Sequence, residues 1–155
     1  MSSVDRRSER SFILKGWYNG MKALSLTQPY AELIKNGCKT IETRSWKTDY
    51  RGKLLIHASS TKIPKASREN IELMGLIKRE QLDYGSIICS CELVDCIKMT
   101  EEYVADMRDN HKEEYISGIY EPGRYAWIFR NIKVFEAAIS AKGHLGLWSY
   151  EDTMS

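Results

Sequence analysis

The sequence predicts an α+β fold, a small mixed β-barrel of about five to six strands with two or three short helices. Three observations carry this expectation. Short apolar stretches such as "KALSLT", "GKLLIHAS" and "RYAWIFRNIKVF" are bounded by glycine or proline turns and read as strands. The helical signals between them are brief. The order of elements lacks the regular strand–helix alternation of a doubly wound sheet, so a mixed barrel fits better.

The elements follow in order. Residues 22–27 form a first strand. Thr27 is placed to cap a helix over "QPYAELIKN", Pro29 suits its first turn, and Gly37 ends it in a left-handed conformation. "KTIETRSW" is the second strand and residues 52–59 the third. A longer helix is predicted from Pro64, with Ala66, Ile71, Met74 and Ile77 at helical spacing. Residues 86–99 are apolar on both faces; their inward positions run Ile87, Cys89, Cys91, Leu93 and then shift to Val94 and Cys96, which predicts a bulge near Leu93–Asp95. Thr100 followed by Glu101 and Glu102 starts another helix. In residues 124–135, Tyr125, Trp127 and Phe129 share one face, and Ala126 and Ile128 the other. "GHLGLWSY" supplies a last short strand.

Length and composition set the frame for function. A chain of 155 residues, 43% hydrophobic and 28% charged, has the makings of one globular domain. We divide it into an extension over 1–20, poorly ordered over its first fifteen or so residues, a domain over 21–150 and a tail over 151–155. It has no apolar run of about 18 residues and no secretory signal, so no membrane partner and a cytoplasmic location are expected. The net charge of +2 is carried by residues 1–20, and the body is neutral. Within that body, residues 35–53 hold six bases against two acids, and residues 92–121 nine acids against three bases. A local basic patch suits a phosphate-bearing ligand without a basic whole.

No metal or cofactor is expected. Cys89, Cys91 and Cys96 lie inside an apolar strand rather than on the paired hooks of a zinc site, and Cys89 and Cys91 read as small core residues. No phosphate loop, dinucleotide fingerprint or nucleophile elbow is present. His57, at the end of a strand, reads as a hydrogen-bonded structural histidine. In the second strand, Glu42 and Arg44 share a face, with Lys39 beside the Gly37 turn. Arginine donates to phosphate or carbonyl, and a carboxylate accepts from an amine or hydroxyl. The same pair is equally an exposed ion pair of little worth.

Residues 24–59 and 123–148 closely resemble the two ends of ASCH domains: Gln-Pro-aromatic-Ala, Gly-x-Lys-x-x-Glu-x-Arg, Arg-Gly-x-Leu-x-Ile-His-Ala and a closing Lys-Gly-x-x-Gly-x-Trp occur in order. The resemblance covers residues 21–149. It implies a PUA-like barrel whose cleft, beside the first helix, receives RNA or a nucleoside. Lys39, Glu42 and Arg44 would line that cleft, with Gln28 and Tyr30 facing it from the helix start and Trp46, Tyr50 and Arg51 on its basic rim. One ASCH branch deacylates N4-acetylcytidine with a lysine and a threonine three residues later. Lys39 matches that lysine, but Glu42 stands at the threonine position, so the amidohydrolase mechanism is not carried over. Three readings follow. The first is an RNA- or nucleotide-binding module. The second is a small hydrolase, a ribonuclease or acylated-nucleoside amidohydrolase, using Lys39 and Glu42. The third is a protein-interaction module docked through the acidic segment.

Overall fold

A computed structural model describes residues 16–152; the expectations for residues 1–15 and 153–155 lie outside the described residues. Six strands form one mixed sheet: β1 (Lys22–Leu26), β2 (Ile41–Arg44), β3 (Gly52–Ala58), β4 (Ser86–Lys98), β5 (Tyr125–Ser140) and β6 (Leu147–Ser149), in the order β2-β5-β4-β3-β1-β6. β1 and β3 run parallel, and the other neighbours are antiparallel. The long β4–β5 ribbon carries three register shifts, one of them at Leu93–Asp95, and Asn131 adds a left-handed residue at φ 54°. Extra residues of this kind bend a strand and increase its twist. The sheet therefore curls toward a barrel. Arg44 on β2, an edge strand, donates to the Ser25 carbonyl on β1 at 3.3 Å, linking opposite flanks of the sheet.

The alternation read from the sequence sorts the core. Leu24, Leu26, Leu54, Ile56, Trp127 and Phe129 fill the inside of the curl, with Ala31 and Ile34 of helix α1 (Tyr30–Lys35) packed against them. Ala126 and Ile128, on the opposite face of β5, pack with Met99 and Met107 beside helices α4 (Glu101–Asn110) and α5 (Lys112–Ile116). A third cluster holds Ala23, Leu55 and Trp148, with Tyr18 stacked on Phe135 at its margin. Thr100 caps α4 by accepting from the Tyr103 N–H at 3.1 Å.

Four expectations are corrected. The helix from Pro64 is two short turns, α2 (Lys65–Arg68) and α3 (Ile71–Met74), because Asn70 interrupts it and caps the second turn through the Leu73 N–H. Leu73 is buried there and Ile71 is 86% exposed, so the apolar spacing marked the wrong face. Thr27 does not cap α1 with its side chain; the Gln28 side chain accepts from the Glu32 N–H instead. Val94 is 42% exposed, since the bulge turns it outward. Among the described residues, the broken helix and the split acidic segment bring the count to five short helices. Gly37, at φ 87°, ends α1 as its position predicts. Among the described residues no helix is long and apolar enough to cross a membrane.

Candidate functional site

A cavity of about 920 Å³ opens where the C-terminal ends of the parallel strands β1 and β3 meet the edge strand β2. Its wall includes Ser25 of β1 and Thr27 just after it, Tyr30 of α1, Glu42 to Arg44 of β2, and Ser59 to Thr61 after β3. The loops 117–119 and 141–146 complete it.

Lys39, Glu42 and Arg44 come together, though not as equals. Lys39 is fully buried: Nζ donates to the Ser117 carbonyl at 2.6 Å, lies 3.5 Å from Glu42 Oε1, and sits 5.7 Å from the Tyr30 ring centroid. It lies behind the cavity wall rather than in it. Glu42 is 8% exposed and reaches the cavity, its Oε2 accepting from Arg44 Nε at 3.1 Å. Arg44 is the more open of the pair, and its Nη2, 3.1 Å from Glu42 Oε2, also donates to the Ser25 carbonyl. The carboxylate is thus fixed between a buried ammonium and a guanidinium at the surface. Behind it, Glu114 on α5 accepts from the Thr40 N–H, joining that helix to the start of β2. Burial pushes the Glu114 carboxyl above its usual range, against the pull of the Thr40 N–H and of Lys39.

Of the other residues drawn from the sequence, Tyr30 joins the cavity wall and Gln28, Trp46, Tyr50 and Arg51 do not. Gln28 is wholly buried and bonded at both ends of its amide, Nε2 donating to the Asp83 carbonyl at 2.8 Å and Oε1 accepting from Glu32 N. It clips α1 to the 79–84 segment and does not line the cavity. Tyr30 does line it. Trp46 is 39% exposed; its ring meets buried Trp127 edge-on at 4.7 Å and its carbonyl accepts from Trp127 Nε1 at 3.3 Å. Arg51 donates to the Thr48 and Tyr50 carbonyls, and the Tyr50 hydroxyl donates to the Lys53 carbonyl. These three belong to the β2–β3 loop, outside the cavity lining.

His57 holds the opposite side of the cavity. Its Nε2 lies 2.7 Å from the Ala141 carbonyl and so carries the proton, leaving Nδ1 to accept from Ser25 Oγ at 3.0 Å. Ser25 Oγ accepts in turn from Trp148 Nε1 at 3.1 Å. Burial pushes the imidazole below its ordinary value, only partly opposed by the hydrogen bond to Ala141. Neutral His57 is therefore the native form. Its contribution to stability is complete above the unfolded value of about 6.5 and is lost as pH falls below that and then through the lower native value. In an NMR titration the His57 ring carbon signal should shift with a midpoint below about 6.5; a midpoint at or above that value would refute the assignment.

The family model for the ASCH domain matches residues 24–139. The chain belongs to the ASCH domain family. This ASCH chain is 24% identical over 143 residues to activating signal cointegrator 1 of Homo sapiens and, equally, of Mus musculus. The match takes in 86% of this chain and 23% of theirs, so the chain spans less than a quarter of the length of those relatives. Among solved structures, the ASCH protein of Zymomonas mobilis superposes with a TM-score of 0.53, and a point mutant of it with 0.52. Both are 14% identical; the superpositions cover 84% of this chain and 87% and 89% of theirs. At that identity the likeness establishes the fold.

Several residues of this ASCH domain's cavity carried no assignment from the sequence: Lys142, His144, Ser59 to Thr61 and the 117–119 loop. The available signal for the first two was a lysine and a histidine in a glycine-bearing loop after a strand. The remainder are ordinary loop residues until the fold brings them together. The cysteines agree with their sequence reading. Cys89 and Cys91 are buried in the core, where desolvation pushes the Cys89 thiol up to about 12 and raises Cys91 as well. Among the described residues no cluster of histidine, cysteine and carboxylate side chains has the makings of a metal site.

Proposed function

We propose that the cavity is a binding site for RNA or a nucleotide, taking a base against Tyr30, Glu42 and Arg44. The observation that carries this reading is the Glu42–Arg44 pair held on a cavity wall by buried Lys39. A fixed carboxylate beside a fixed guanidinium matches the alternating donors and acceptors of a base edge. Tyr30 offers an aromatic surface, and stacking of a base on such a ring contributes about 1–3 kcal/mol. The volume of about 920 Å³ admits a nucleotide-sized ligand. Membership of a family associated with RNA supports the same reading. Acid–base catalysis by Lys39 and Glu42 is less favoured, because the Lys39 ammonium is sealed behind the wall and spent on Ser117 and Glu42.

The test is fluorescence anisotropy with a short labelled single-stranded RNA at two salt concentrations. Affinity should fall with salt, and Arg44→Ala should weaken binding on the order of 10-fold and relax the preference for the base it contacts. RNA recovered after incubation should be intact. No binding at low salt, or an Arg44→Ala variant indistinguishable from the parent, would overturn the reading. Cleavage that disappears in Glu42→Gln would transfer it to the hydrolase.

A further inference from the structure

The cavity has two chemically different ends, and Ser25 divides them: Arg44 bonds its carbonyl, and His57 and Trp148 bond its hydroxyl. Toward β2 lie Tyr30, Glu42 and Arg44, and Glu42 is the one carboxylate among the described residues of the cavity lining. The far end is built from the 141–146 loop, with Lys142 and His144, and from the hydroxyls of Ser59, Ser60 and Thr61. Among the described residues, no carboxylate lines this end. Lys142 is exposed and, among the described residues, has no ion-pair partner.

This end is anchored. A Cβ on Gly143 would stand 2.6 Å from Ser25 Oγ and 2.7 Å from His57 Cε1, so the bare glycine backbone lies directly on the pair formed by half-buried Ser25 and buried His57. The Ala141 carbonyl is bonded to His57, and the His144 ring meets Trp148 edge-on at 5.2 Å. Lys142 thus projects from a fixed loop. The hydroxyls are oriented too. Ser59 Oγ accepts from the Thr61 N–H at 3.1 Å and donates to Thr61 Oγ1 at 3.0 Å, which leaves the Thr61 hydroxyl proton for a ligand. A donating chain of this kind is polarised toward an anion.

We infer that this end is a phosphate subsite, and that the ligand is a phosphorylated nucleotide with its base at the Glu42 end and its phosphate between Lys142, His144 and the Ser60–Thr61 hydroxyls. The inference rests on the nucleotide reading for the base and on this separate cluster for the phosphate. A lysine ammonium binds phosphate as a point charge, and oriented hydroxyls complete the oxygen contacts.

The probes are adenosine, cytidine, their 5′-monophosphates and inorganic phosphate, followed through backbone amide signals of residues 142–146 and through affinity. Monophosphates should bind at least about 10-fold tighter than nucleosides, as expected for a charge-assisted contact, and inorganic phosphate should move the 142–146 signals. Lys142→Ala should remove the advantage of the monophosphate at an unchanged melting temperature. Where nucleosides bind, monophosphates no tighter than they are, or an advantage that survives Lys142→Ala, would overturn the subsite. If inorganic phosphate moves the loop signals in the parent and not in Lys142→Ala, but no nucleoside or nucleotide binds, the subsite stands and the base reading falls. If nucleosides bind and phosphate has no effect, the subsite falls alone.

Discussion

Replacing Lys39 with alanine should destabilise the domain by about 3 kcal/mol, the low end of the cost of breaking a buried ion pair by removing one partner. The side chain is among the largest that are fully buried, and its ammonium satisfies both the Ser117 carbonyl and one oxygen of Glu42. Alanine leaves a cavity, a carbonyl without its donor and a half-paired carboxylate. Arg44 still holds Glu42 Oε2, which is why the low end applies. At roughly 2–4 °C per kcal/mol for a domain of this size, the melting temperature should drop by about 6–12 °C. Lys39→Met separates the two components, since it restores most of the buried stem without the charge. It should recover the cavity part of the loss and none of the hydrogen-bond part. Urea denaturation measures both. An alanine variant within about 0.5 kcal/mol of the parent, the usual range for surface changes, would show that Lys39 does not hold the 117–119 loop against β2.

Substitution of Gly143 by alanine should cost about 1–3 kcal/mol, the usual range for overpacking a site that cannot yield. The added methyl would meet Ser25 Oγ at 2.6 Å and the His57 ring at 2.7 and 2.9 Å. Neither partner has room to move. His57 is buried between Ser25 and the Ala141 carbonyl, and Ser25 Oγ is also bound by Trp148. The 141–146 loop must lift instead, taking Lys142 and His144 with it, so ligand affinity should fall together with stability. Gly16→Ala is the matched control, because among the described residues nothing stands within 4 Å of its Cβ position. Equal melting temperatures for Gly143→Ala and the parent would mean that the loop is not seated on the serine–histidine pair.

The accuracy of the sequence reading follows the range of the interactions involved. The bulge at Leu93–Asp95, the left-handed Gly37, the Thr100 cap and the two faces of β5 each depend on neighbours a few residues away, and all are present in the structure. The helix from Pro64 failed for a local reason as well: Asn70 offers the backbone a cap in competition with continued helix, and apolar spacing alone does not weigh that alternative. At the site, strand periodicity placed Glu42 and Arg44 on one face, where they pair.

By itself the sequence determined the strand set, the turn that precedes β2 and the motifs that mark an ASCH domain, because these are written in residue type and short spacing. Only the tertiary structure decided that Lys39 is buried behind the cavity wall, that Gln28 is spent as an internal clip, and that Trp46 and Arg51 stand outside the cavity lining. It also joined Lys142 and His144 to the wall. Each of these outcomes depends on contacts between segments far apart in the chain, such as Lys39 with Ser117 at a separation of 78 residues and His57 with Ala141 at 84. Periodicity tells which side of its own strand a residue faces. What it meets there is set by how the sheet curls, and that is a property of the packed core as a whole.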